Sequence, residues 1–257
     1  MGQDTDGFWG RFGQNRPLRR WDRALQSAST LSASDLVRMT RQMTRLRHRL
    51  DDLNAKASDA LRQRIDGHDG IDRPDQYDWA ERAGPWRTKL NPVGHVDLGS
   101  PTKLGAGVTL FHDAAQADLS LRQEKAPGHV TGAAYGLILE VYRFDGSFVS
   151  VVQDLPKAAL DGLTLNYFFS VHLRVETEQP LEIYARLNVQ HGPNTEQIVR
   201  QFDVNGDRGT ADFDLAYTKI NDKRLEKAWI DIILEGPHMN RIALWDMVVL
   251  RAPRADV

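Results

Sequence analysis

Leu181-Glu-Ile-Tyr-Ala-Arg-Leu-Asn-Val-Gln190 alternates apolar and polar residues from end to end. Ala228-Trp-Ile-Asp-Ile-Ile-Leu-Glu235 follows nearly the same rhythm. Successive side chains of a strand point to opposite faces, so a period of two marks a strand with one buried side. In the first stretch Ile183, Ala185, Leu187 and Val189 point inward, and Glu182, Tyr184, Arg186, Asn188 and Gln190 point outward. In the second, Ile230, Ile232 and Leu234 oppose Trp229, Asp231, Ile233 and Glu235. The same reading sets Leu137, Leu139 and Val141 against Glu140 and Tyr142. It sets Val171, Leu173 and Val175 against His172, Arg174 and Glu176.

Working outward, strands are predicted over 94–99, 106–113, 117–123, 135–144, 147–153, 165–176, 181–190, 196–204, 209–216, 228–235 and 240–250. Turn signals separate them, among them Asp145-Gly146, Asp161-Gly162, Gln179-Pro180, Asn205-Gly206-Asp207 and Gly236-Pro237. A short helical turn is expected within 217–227. Many strands at this spacing predict a mainly β fold, a jelly-roll sandwich of the galactose-binding or carbohydrate-binding-module kind, over residues 93–251 with a tail at 252–257.

Before residue 67 the period changes. Ser32-Ala-Ser-Asp35 fits a capping box, with the Asp35 side chain reaching back to the Ser32 amide. From there Leu36, Met39, Met43, Leu46, Leu50, Leu53, Ala57 and Ala60 alternate spacings of three and four. That is the stripe of a coiled coil. It predicts an amphipathic helix over 32–66 that joins copies of the chain through Leu36, Met39, Met43, Leu46, Leu50 and Leu53. Met and Ala at core positions make such a coil weak, so the β-domain is expected to help it associate. Packing of the helix along its own domain is the alternative. Residues 67–92 hold no period and read as a connector, pinned by Trp79 and Trp86. Residues 1–31 interleave Phe8, Trp9, Phe12 and Trp21 with arginines and read as a docking segment.

The 257 residues contain no cysteine, which excludes disulfides, zinc–cysteine sites and thiol chemistry. Net charge is −2, yet residues 11–49 hold ten Arg and two Asp. This basic arm suits an acidic partner or the protein's own acidic domain. No signal-peptide pattern or membrane-length apolar run is present, so synthesis in the cytoplasm is expected, and neither a membrane nor nucleic acid is the expected partner. The eight His show no metal-ligand spacing. No cofactor is expected; an isolated calcium ion at a sandwich edge stays open.

The outward set is rich in Tyr, Trp, Arg, Asn and carboxylate. Such a face suits sugars, because rings stack on apolar pyranose faces while charged and amide groups pair with hydroxyls. A protein interface uses the same residues. The candidate contact residues for either role are Tyr142, Arg174, Tyr184, Arg186, Asn188, Trp229 and Asp231.

Trp229-Ile-Asp231-Ile-Ile-Leu-Glu235 resembles the signature of laminarinase-like jelly-roll glycosidases. The resemblance implies roles for Asp231 and Glu235, but Trp229 stands at the nucleophile position. A retaining mechanism needs two carboxylates, so Glu140 or Glu182 would have to supply the other from another strand. A broader resemblance rests on His191-GPNTEQIV-Arg200, Phe213-DLAY-Thr218, Lys223-RLEKAWIDIILEGP-His238, Val108-TLFH-Asp113 and Phe144-DGSFV-Ser150. These stretches resemble an uncharacterised alphaproteobacterial domain-of-unknown-function family, which implies no activity. The closing Ile242-ALWDMVV-Leu250 is similar to the last strand of carbohydrate-binding-module jelly rolls. In size and architecture the chain resembles the head spikes of gene-transfer-agent particles, which attach to capsular polysaccharide.

Together these readings predict a non-enzymatic homo-oligomer that recognises cell-surface glycan, or that holds a spike or fibre on a phage-like particle through a capsid protein. Two alternatives stay open. One is a carbohydrate-active hydrolase using Asp231 and Glu235. The other is a cytoplasmic interaction protein whose basic arm binds an acidic partner.

Overall fold

The computed structural model describes residues 22–23, 25–65, 71, 73–105 and 107–254. Phe8, Trp9, Phe12 and Trp21 lie outside the described residues. The chain divides into two compact units, Met1–Asn54 and Ala55–Val257.

A long helix, α1, spans Ala33–Ile65. Its start is capped differently from the expected box. The Asp35 N–H donates to Ser32 Oγ at 3.2 Å, but the Asp35 carboxylate accepts from the Ser32 hydroxyl and from Arg38, not from the Ser32 amide. The short Asp side chain meets the nearer hydroxyl first. Met43, Leu46, Leu50 and Leu53 are exposed along α1.

The strands are β1 (Trp79–Arg82), β2 (Gly94–Val96), β3 (Thr102–Lys103), β4 (Val108–His112), β5 (Ala117–Lys125), β6 (Tyr135–Phe144) and β7 (Phe148–Asp154). They continue as β8 (Tyr167–Thr177), β9 (Glu182–His191), β10 (Asn194–Gln201), β11 (Asp203–Asn205), β12 (Arg208–Asp214), β13 (Leu225–Glu235) and β14 (Asn240–Pro253). One sheet runs β11-β12-β8-β14-β6-β5-β2, with β1 also on β14; the other runs β10-β9-β13-β7-β4-β3. Every pairing is antiparallel, and the chain passes repeatedly from sheet to sheet, so the two layers share one core. The inward residues read from the alternation are all buried, from Ile183 to Val189 and from Ile230 to Leu234. Helical turns at Leu215–Tyr217 and Asp222–Arg224 lie in or beside the expected place.

Segment 67–92, read as a connector, contributes structure to the eight-stranded sheet. β14 is longer than its neighbour β6, and β1 pairs with the remainder of that edge at Val248–Arg251. A short helix, α2 (Gly84–Arg87), follows β1. Its Trp86 is fully buried, and Trp86 Nε1 donates to the Leu244 carbonyl at 2.9 Å, where β14 changes partners. Four-residue strands carry too little alternation to be read alone. Residues 196–204, read as one strand, are two, β10 and β11, which belong to different sheets.

Candidate functional site on the six-stranded sheet

The alternation correctly gives the side of the strand on which each candidate residue stands, but not the sheet. Tyr184, Arg186 and Asn188 on β9 and Trp229 and Asp231 on β13 share the outer face of the six-stranded sheet. Tyr142 on β6 and Arg174 on β8 belong to the eight-stranded sheet, on the opposite side of the sandwich. The seven residues therefore do not form one surface. Strand order decides this, and no local pattern encodes it.

Across the six-stranded sheet the register places Gln197, Asn188, Trp229 and Asp154 in one row. The next row holds Val199, Arg186, Asp231 and Val152, and the one after it Gln201, Tyr184, Ile233 and Ser150. Asp231 is outward yet only 2 % exposed. Arg186 explains this. Its Nε and Nη2 both donate to Asp231 Oδ2, at 2.6 and 2.5 Å, and Asn188 Nδ2 reaches the same oxygen at 3.2 Å. Gln197 Nε2 then donates to Asn188 Oδ1 at 2.9 Å. The result is a short polar chain, Gln197–Asn188–Asp231–Arg186, spanning three strands.

Asp231 Oδ1 is buried without a hydrogen-bond partner. Burial pushes the Asp231 carboxyl above its ordinary range, against the pull of Arg186 and Asn188. Arg186 remains about a third exposed, and its Nη1 has no partner among the described residues. The guanidinium is thus fixed from below while one edge faces solvent.

Two half-buried aromatic rings flank this chain. Trp229 lies beside Asn188, with Lys227 Nζ 4.9 Å from its ring centroid. Tyr184 lies four residues along β9 from Asn188, about 13 Å away at strand spacing. Its hydroxyl donates to Glu182 at 2.6 Å, and that bond, with Glu235 nearby, pushes the phenol up to about 12. Sequence reasoning missed Gln197 and Lys227. Lys227 could have been found, two residues before Trp229 on the same face. Gln197 could not, because its register depends on the hairpin to β9.

The register also locates the carboxylates. Glu182 and Glu235 are direct cross-strand partners, both exposed. Glu140 is on the other sheet, tied to Arg122 at 2.7 Å, to Ser120 and to Tyr142. It cannot complete a pair with Glu235. Among the described residues no cluster of three or more His, Asp or Glu is placed to hold a metal ion. No described helix is long and apolar enough to cross a membrane.

The model of DUF6478, a family of unknown function, matches residues 1–257. The chain belongs to this family. No curated protein matches it. Solved structures with a similar strand layout include a family 11 carbohydrate-binding module from Clostridium thermocellum, in complex with a β-1,3-1,4-mixed-linked tetrasaccharide. It is 9 % identical, with 63 % of this chain and 97 % of that chain covered and a TM-score of 0.36. The enzymatically active domain of bacteriophage CBA120 tailspike protein 4 is 9 % identical at a TM-score of 0.40. There 56 % of this chain is covered, but only 19 % of the tailspike. A Stig cyclase from Fischerella sp. TAU is 12 % identical at a TM-score of 0.40, covering 68 % of this chain and 100 % of the cyclase. No site residue is carried over from any of them.

Proposed function

We propose that this protein is a non-enzymatic glycan-binding module, and that it binds through the outer face of the six-stranded sheet. The observation that carries the reading is the Arg186 guanidinium, held by buried Asp231 between the Trp229 and Tyr184 rings. A rigid donor between two aromatic platforms suits a sugar chain laid along the strands, with pyranose faces on the rings and hydroxyls on Arg186. Asp231 serves as an anchor in this reading. Its Oδ2 is occupied and its Oδ1 is sealed off, so it has no oxygen free for proton transfer to a substrate.

The stripe of α1, half-buried at Leu36 and Met39 and exposed at Met43, Leu46, Leu50 and Leu53, joins copies of the chain, so several faces act together. Presentation on a phage-like particle, as a spike contacting cell-surface polysaccharide, is the setting that combines these parts. A glycan array on purified protein tests the reading, with mass measured by light scattering in the same preparation. Specific binding by an oligomer supports it. An oligomer that binds no glycan makes the face a protein interface instead.

One observation favours a hydrolytic alternative. Glu182 and Glu235 stand directly opposite each other, with opposed Cβ atoms about 5 Å apart, so their carboxyl groups are within reach of the separation a retaining pair needs. Polysaccharide turnover that is lost in Glu235→Gln would establish it. Absence of turnover, or turnover that survives Glu235→Gln, removes it.

A further inference from the structure

We infer that the outer face of the eight-stranded sheet carries a second binding site, a pocket for a small organic anion gripped by Arg174 and Arg208. The pocket has a volume of about 440 Å³, within the range of small-molecule sites. Arg174 and Arg208 line it and are direct cross-strand partners on β8 and β12. Like charges placed opposite each other destabilise a sheet unless something neutralises them.

The nearby carboxylates do not complete that neutralisation. Asp246 is opposite Arg174 on the other side, but it is committed to Arg82, whose Nε and Nη2 reach its two oxygens at 2.7 and 2.9 Å. Asp207 stands 3.7 Å from Arg174, whose Nη1 also donates to the His129 carbonyl. Asp212, further along β12, accepts from the Ser170 hydroxyl at 2.6 Å and does not line the pocket. Arg208 is exposed and has no hydrogen-bond or ion-pair partner among the described residues.

The remaining lining fits a ligand with two kinds of surface. Thr210 and His172 are cross-strand partners that offer hydroxyl and imidazole groups beside the arginines. Ile71 and Val248 form an apolar wall. A guanidinium fork matches the two oxygens of a carboxylate or phosphate. The chemistry recognised is therefore an oxyanion on a compact body with an apolar side, as in a sugar acid or a sugar phosphate.

Titration calorimetry on the full chain tests this, with glucuronate and glucose 6-phosphate as probes and glucose as the neutral control. The carboxylate and phosphate arms separate the two sources of the oxyanion. At least one anion should bind saturably, at least tenfold tighter than glucose and more weakly at high salt. Arg208→Ala should lose tenfold or more, and Arg208→Lys should recover only part of it. Arg208 has no partner to lose and its charge faces Arg174, so neither variant should unfold earlier than wild type. Trp229→Ala, on the other sheet, should leave anion binding unchanged, so failure here and failure of the glycan-face reading are distinguishable. Absence of saturable anion binding, equal binding of glucose, or undiminished binding in Arg208→Ala would overturn the inference.

Discussion

On the six-stranded sheet the rings of Tyr184 and Trp229 remain half open to solvent, whereas on the eight-stranded sheet the outward Val248 and Leu250 are sealed. Ile71, Tyr77 and Ala80 pack over them in a small second apolar cluster. The covering segment comes from a part of the chain that shows no period in sequence. Each face also carries an Arg–Asp pair, differently placed. Arg82–Asp246 is buried at both ends, while Arg186–Asp231 keeps its carboxylate buried and its guanidinium partly in water. Period two says which side of a strand a residue takes. Whether that side is free depends on segments distant in sequence. The open face leaves its ion pair half in water, whereas the pair beside the covered strip is buried at both ends.

The two ion pairs give the sharpest contrast. Arg82→Ala strands Asp246 in a buried setting and should cost about 3–5 kcal/mol by urea denaturation. Arg186→Ala should cost less, about 2 kcal/mol, because the lost guanidinium was partly solvated and its removal opens Asp231 Oδ2 to water. Equal costs would erase the distinction between the covered and the open face.

A turn between the sheets provides the next test. Asp113, after β4, accepts the N–H groups of Ser147 and Phe148 and the Ser147 hydroxyl. Gly146 lies so close that an added Cβ would meet Asp113 Oδ1 at 2.4 Å and the Ala114 nitrogen at 2.7 Å. Gly146→Ala should therefore cost about 1–3 kcal/mol through overpacking.

Asp113→Asn should cost about 1 kcal/mol at neutral pH. The Ser147 hydroxyl leads in holding the Asp113 carboxyl below its ordinary 3.8; desolvation opposes it, and the two N–H groups add to the lowering. A carboxyl depressed in the folded state contributes stability above its unfolded pKa and loses it as pH falls through the folded value. The difference between wild type and Asp113→Asn should shrink below about pH 4. A difference that persists at pH 2 would assign the effect to packing.

The strands and their buried sides were legible because β9 and β13 are long enough to show alternation. The burial of Asn188 and Asp231 was not, since polar residues on an outward side read as exposed until their partners are known. Trp79–Arg82 was missed as a strand because its pairing partner lies near the other end of the chain. The grouping of Tyr142 and Arg174 with the β9 and β13 residues failed for the same physical reason: sheet membership is a long-range property. The strand order that separates Arg174 from Tyr184 sets it beside Arg208.

The most direct test of the glycan-face account is a calorimetric titration of the best array glycan into wild type, Trp229→Ala and Arg208→Ala. The account predicts at least a tenfold loss in Trp229→Ala and wild-type affinity in Arg208→Ala, with both variants folded. Wild-type affinity in Trp229→Ala together with loss in Arg208→Ala would contradict it and move the glycan to the other sheet.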